Sequence, residues 1–272
     1  MDLPFVEALA PAHRGALRDW RPGDAWLGGG TWLFSEPQPQ LRRLLDLHAF
    51  GWEPLTVSEA GLEIAATCTL AELAALQPPS RWPAGRLLRQ ACQALQASFK
   101  IWNEATVGGN ICLSLPAGAI TSLSASLDGV CTIWRADDAV EAVPAAVFVT
   151  GAGENVLRPG ELLRAVLLPE RALASRTAFR QFSRTPLGRS AAVVIGRRDP
   201  DDGGVVITVT AAVTRPWQAR FAGVPSAGEL EAALAGAELD YFDDPHGSRA
   251  WRAHLTNILC EQVRAELDEA GA

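Results

Sequence analysis

The chain has 272 residues, a net charge of −7 and 48% apolar side chains. That length allows two domains, or one domain with subdomains, and the apolar fraction suits a packed core rather than disorder. No basic run points to nucleic acid or an anionic membrane surface, and the longest apolar runs, such as Val205 to Val213, are too short to span a bilayer.

The five cysteines (Cys68, Cys92, Cys112, Cys131 and Cys260) form no C-x-x-C pair. This suits reduced thiols in a cytoplasm and argues against an iron–sulfur cluster or zinc on this chain. The start Met1-Asp2-Leu3-Pro4 lacks a charged n-region and an apolar h-region, so no signal peptide is expected.

In chain order, Pro11 to Trp20 reads as a short helix with proline near its start. Ala25 to Leu27 and Leu41 to Leu47 read as strands, and this small α/β unit ends near Gly51. Leu62 to Ala66 alternates as a strand, and Thr69-Leu70-Ala71-Glu72 is a capping box opening a helix. Arg86 to Ala97 is helical by periodicity, with Leu87, Leu88, Ala91 and Leu95 on one face. Pro116 to Leu127 reads as a helix, and Val130 to Trp134 and Val140 to Val143 as strands around an Asp137-Asp138 turn. Gly151 to Pro159 is loop-like and Leu162 to Leu168 a buried strand.

A composition change over Glu170 to Arg176 marks the expected domain boundary, giving residues 1–172 (subdomains about 1–52 and 53–172) and 173–272. Beyond it, strands at Ala178 to Phe182, Ala191 to Arg197, Val205 to Val213 and Trp217 to Phe221 form an antiparallel meander, with a turn-rich loop over 199–204. Ser226-Ala227-Gly228-Glu229 is a second capping box, and a long helix runs from Ser248 to Leu267. Two helices after a meander suggest a sheet covered on one face.

No side-chain constellation announces catalysis. The four histidines lie apart at 13, 48, 246 and 254, and no G-x-S-x-G elbow surrounds any serine of the Ser114 to Ser126 region. Two glycine stretches stand out instead: Gly28-Gly29-Gly30-Thr31-Trp32-Leu33, and Thr106-Val107-Gly108-Gly109-Asn110. Successive free N–H groups in such turns form a nest for an anion such as a diphosphate, and two nests could clasp one diphosphate from both sides. Either stretch alone is also what an ordinary turn or bulge looks like. Neither is a G-x-G-x-x-G fingerprint or a P-loop.

Those stretches, with Leu157-Arg158-Pro159-Gly160-Glu161-Leu162-Leu163 and Phe179-Arg180-Gln181-Phe182-Ser183-Arg184, occur in the order seen in the FAD-binding (medium) subunit of molybdenum hydroxylases, the carbon monoxide and xanthine dehydrogenase family. The chain resembles that family over nearly its whole length. The resemblance implies an α+β fold: a PCMH-type FAD-binding domain of two α/β subdomains plus a C-terminal antiparallel sheet with helices.

It also implies FAD as cofactor, held by Gly28, Gly29, Gly30, Thr31, Trp32, Leu33, Thr106, Gly108, Gly109 and Asn110, with Leu163 near the flavin ring and Phe179, Arg180 and Gln181 approaching from the C-terminal domain. For Leu163 and Phe179 core packing is an equal alternative. The implied partners are an iron–sulfur subunit and a molybdopterin-binding large subunit, with NAD, a quinone or oxygen as acceptor. Three positions depart from the family pattern: Trp32, Trp102 and Ala119. They motivate the alternative reading, a cofactor-free structural or assembly subunit on the same scaffold.

Overall fold

A computed structural model describes residues 3–269. The first unit is a three-stranded parallel sheet of β1 (Ala8–Pro11), β2 (Asp24–Leu27) and β3 (Arg43–Asp46), in the order β1-β3-β2. The expected helix from Pro11 to Trp20 is not formed. Pro11 closes β1, and only a single 3-10 turn at Arg14–Leu17 follows, burying Ala16 and Leu17.

The second unit is an antiparallel sheet in which β4 (Leu55–Ser58), β5 (Gly61–Ala65), β6 (Val130–Trp134) and β7 (Val140–Pro144) flank β10 (Leu162–Pro169), in the order β4-β5-β10-β6-β7. Between β5 and β6 the chain makes five helices: α1 (Leu70–Ala75), α2 (Arg86–Ala94), α3 (Phe99–Glu104), α4 (Val107–Cys112) and α5 (Ala119–Ser126). The capping box opening α1 is complete, with Thr69 Oγ1 accepting from Glu72 N and the Glu72 carboxylate accepting from Thr69 N. After α6 (Ala145–Phe148), the segment read as a loop carries a two-stranded ladder, β8 (Val149–Gly151) with β9 (Glu154–Asn155). Trp20, Trp26, Phe50, Trp52 and Trp134 pack between the first two units, Phe50 stacked on Trp52 at 4.6 Å and Trp134 edge-on to both.

A short helix α7 (Glu170–Leu173) leads to the third unit, an antiparallel meander of β11 (Arg176–Ser183), β12 (Ser190–Arg198), β13 (Val205–Thr210) and β14 (Trp217–Phe221), followed by α8 (Ala227–Ala235) and α9 (Arg249–Glu269). β13 stops at Thr210 because Ala211 turns to φ +62°, outside extended backbone. The sheet is covered on both faces, not one. Along β12, Val193 and Ile195 enter the core shared with α2, α4 and α5, while Ala192 and Val194 enter a second core under α8 and α9. The missed cover is α5, whose small residues let it lie close against the strands: Ser122 Oγ meets Thr210 Oγ1 at 2.6 Å and Gln218 Nε2 donates to Ala125 O.

Beyond α5, Asp128 bonds both Arg197, whose side chain is 2% exposed, and Arg220. Burial pushes the Asp128 carboxyl up, but the hydrogen bond from Arg220 and the charge of Arg197 outweigh it and hold the group below the usual carboxylate range. A depressed carboxylate stabilises the fold above its unfolded value, about 3.9, and that contribution disappears as pH falls through the folded value below it. Asp128→Ala is therefore expected to cost about 2–3 kcal/mol at neutral pH, less than a fully buried pair because Asp128 is 34% exposed and Asp199 stays beside Arg197. Urea denaturation of wild type and variant at pH 7 and pH 3 checks this, since the difference should shrink in acid.

Candidate functional site

β2 runs out at Leu27, and the three glycines carry the chain into a turn over residues 31–35, closed by Phe34 N donating to Gly30 O at 2.9 Å. Gly30 takes φ +69°, and a Cβ there would lie 2.6 Å from the Phe34 ring, so the turn requires glycine. Among the described residues, no acceptor meets the backbone N–H of Gly28, Gly29, Gly30, Thr31, Trp32 or Leu33. Gly28 to Thr31 are half-buried, while Trp32 projects outward. Six consecutive donors without protein acceptors suit an anion with several oxygens.

The second stretch is built differently. It opens α4 rather than forming a turn, and its amides are engaged: Val107 N donates to Cys68 O, Gly108 N to Ala66 O, Gly109 N to Thr106 Oγ1 and Asn110 N to Thr106 O. The expected pair of facing nests thus reduces to one free row. Gly108 is a packing glycine, where a Cβ would meet Ala66 Cβ at 2.6 Å. Gly109 is exposed, and a Cβ there would meet only Thr106 Oγ1, at 3.1 Å. What this stretch offers a ligand is the hydroxyl proton of Thr106, the side-chain NH2 of Asn110 and open space above Gly109. Asn110 Oδ1 is occupied, accepting from Ile120 N at 3.0 Å.

The two stretches touch. A Cβ on Gly28 would lie 2.9 Å from Thr106 Oγ1, and one on Gly29 would lie 1.4 Å from Glu104 O. Glu104 seats the first stretch through its main-chain carbonyl, a role no residue type signals in sequence.

The other expected residues lie elsewhere. Leu163 is buried, opposite Ile133 in the sheet, in the core that also holds Val107 and Ile111. Phe179 packs against that same core. Arg180 pairs with Glu266 at 2.6 Å, and Gln181 Nε2 donates to Ser190 Oγ at 2.8 Å. Trp102 packs partly buried with its indole N–H lacking an acceptor, and Ala119 is buried at the start of α5. Burial pushes the thiols of Cys68 and Cys112, which flank the second stretch, up to about 12, so both are neutral at pH 7 and pack as small apolar groups. The site therefore supplies hydrogen-bond donors rather than an acid, a base or a nucleophile. No helix among the described residues is long and apolar enough to cross a membrane.

Comparison with known proteins gives the arrangement its context. The fold superposes on a chain of quinoline 2-oxidoreductase from Pseudomonas putida 86 with a TM-score of 0.80 and 21% identity, covering 99% of both chains. It also superposes on reconstituted CO dehydrogenase from Oligotropha carboxidovorans (TM-score 0.81, 19% identity, 97% of this chain and 99% of that one). Carbon monoxide dehydrogenase from Hydrogenophaga pseudoflava gives 0.80 and 18%, over 97% of each chain. At such identities these likenesses concern the fold. No curated protein sequence matches the chain. Residues 13–171, which contain both glycine stretches, match the sequence model described as "FAD binding domain in molybdopterin dehydrogenase", and the chain belongs to that family of FAD-binding oxidoreductase subunits.

Proposed function

We propose that the chain is the electron-transfer flavoprotein subunit of a molybdenum-containing hydroxylase. Its partners are an iron–sulfur subunit that delivers electrons and a large molybdopterin-binding subunit, with NAD, a quinone or oxygen as final acceptor. The division of labour follows the expected boundary, with residues 1–172 carrying FAD and 173–272 packing over them. The observation that carries the reading is the row of six unpartnered N–H groups from Gly28 to Leu33 inside a matched FAD-binding domain. These donors fit a diphosphate, and Thr106 and Asn110 stand beside them with a hydroxyl proton and an amide to add. Bound FAD supplies the redox chemistry, while the protein grips and orients it. The row also favours a cofactor-binding subunit over a cofactor-free scaffold, because four of its donors, Gly28 to Thr31, are half-buried without protein acceptors.

Gly109→Ala separates ligand approach from folding. The new Cβ meets nothing but the Thr106 hydroxyl, so the melting temperature without FAD should change little. It fills the open space above the helix start, and FAD affinity should fall by about tenfold or more, the equivalent of about 1.4 kcal/mol. Titration of FAD into FAD-free protein, followed by flavin fluorescence, reads both proteins. A wild type that takes up no FAD would overturn the proposed function.

A further inference from the structure

The first two units hold each other by reciprocal cation–aromatic contacts. From the first unit, Arg14 reaches over the ring of Trp134 on β6, 4.0 Å from its centroid, and donates to Asp138 O. From the second unit, Arg164 on β10 lies over Trp52, 4.4 Å from its centroid. Trp52 is stacked in turn on Phe50, the last residue of the 3-10 turn Leu47–Phe50 that follows β3.

Arg164 has little else to hold it. Its side chain is only 20% exposed, and Nη1 is buried with no hydrogen-bond partner. Its carboxylate partner, Glu63, stands 3.9 Å away, longer than a hydrogen bond. Burial holds the guanidinium below its usual range, and the charge of Glu63 offsets only part of that. The main partner of this cation is therefore the indole face. An apolar side chain of the same length would fill the space without burying a poorly paired charge, so packing alone does not account for arginine here.

The stack reaches the row of donors through the first sheet. β2 and β3 are parallel neighbours, with Leu27 opposite Asp46. The row begins one residue after Leu27, and the turn carrying Phe50 begins one residue after Asp46, so both leave the same end of the sheet. Thr106 and Asn110 belong to the second unit, and a diphosphate lying on the row and on these side chains bridges the two units. A ligand that bridges two bodies binds more weakly when it must also order them. We infer that Arg164 is a positioning residue: through Trp52 it sets the first unit, and the row Gly28–Leu33 with it, against Thr106 and Asn110, without touching the cofactor. The inference rests on the proposed function.

Arg164→Met tests it, because the variant keeps the length of the side chain and removes the charge. FAD titrated into the folded, FAD-free variant, well below its melting temperature, should show a dissociation constant raised about fivefold, as for one partly buried cation–aromatic contact. Arg164→Lys, which returns a cation to the indole face, should recover part of that loss. Adding Arg164→Met to Trp52→Leu should weaken binding no further than Trp52→Leu alone, since the two side chains form one contact. Ser226→Ala, which removes a helix cap in the third unit, should lower the melting temperature and leave the dissociation constant unchanged. Should the methionine variant not fold, Trp52→Phe keeps a ring under the guanidinium, weakens the stack and should raise the dissociation constant about twofold. A methionine or phenylalanine variant that binds FAD as tightly as wild type, whatever its melting temperature, would overturn the role of Arg164 and leave the proposed function standing. A wild type that binds no FAD would overturn both.

Discussion

Gly29→Ala is expected to abolish FAD binding and to destabilise the protein by about 4 kcal/mol or more, beyond the 1–3 kcal/mol of ordinary overpacking. The new Cβ would lie 1.4 Å from Glu104 O and 2.4 Å from its carbonyl carbon, so main chain must move on one side or the other. The Glu104 side cannot yield easily. Ala105 N donates to Ile101 O, Leu70 N donates to Ala105 O, and Val107 N donates to Cys68 O, which ties the segment to α1, α3 and the loop between β5 and α1. On the other side, Gly28 to Gly30 continue directly from β2. Thermal melts and FAD titration measure the two losses together. A variant with the wild-type melting temperature would show that the seat on Glu104 is not needed.

Arg252→Ala should cost about 3–5 kcal/mol, the range for removing one partner from a buried charged network. The side chain is 1% exposed and lies on the inner face of α9. Its guanidinium donates to Gly247 O at 3.0 Å, Ala191 O at 2.5 Å and Ala211 O at 2.9 Å, and pairs with Asp244 at 2.5 Å. Truncation removes the guanidinium from three carbonyls and a carboxylate; the Ala191 and Ala211 carbonyls lose their arginine donor, while Gly247 O keeps Asp244 N and Asp244 Oδ1 keeps His246 N. Arg252→Lys should recover only part of the loss, because an ammonium has three donors from one point and cannot fan out to these four acceptors. Denaturation curves of the three proteins check the order wild type, lysine, alanine. An alanine variant within 1 kcal/mol of wild type would contradict it.

Arg252 also shows where sequence reading stops. In α9 it looks like any arginine of an amphipathic helix, and only the fold reveals that the main chain of β12 and of the turn at Ala211 depends on it. Features encoded locally were legible: the capping boxes at Thr69 and Ser226 form as their spacing requires, and the apolar runs at β10, β12 and β13 become central strands. Features set by distant partners were not. α3 and α4 are six residues each, and the glycines of α4 are poor helix formers; the helix exists because Thr106 caps it and the main chain at Ala66 and Cys68 anchors it. The glycine stretches themselves stood out, but which of them keeps its donors free depends on hydrogen bonds that spacing does not encode.

Ala211 has one further consequence. Its amide donates to Pro116 O, just before α5, while its carbonyl accepts from Arg252 on α9, and neighbouring residues of β12 feed two different cores. A cut in the chain near residue 172 falls between units in sequence but not in packing. Each fragment would carry away half of a buried apolar seam, Val193 and Ile195 on one side and the small-residue surface of α5 on the other. Dissection of this protein into separately expressed halves therefore produces two sticky surfaces rather than two autonomous domains.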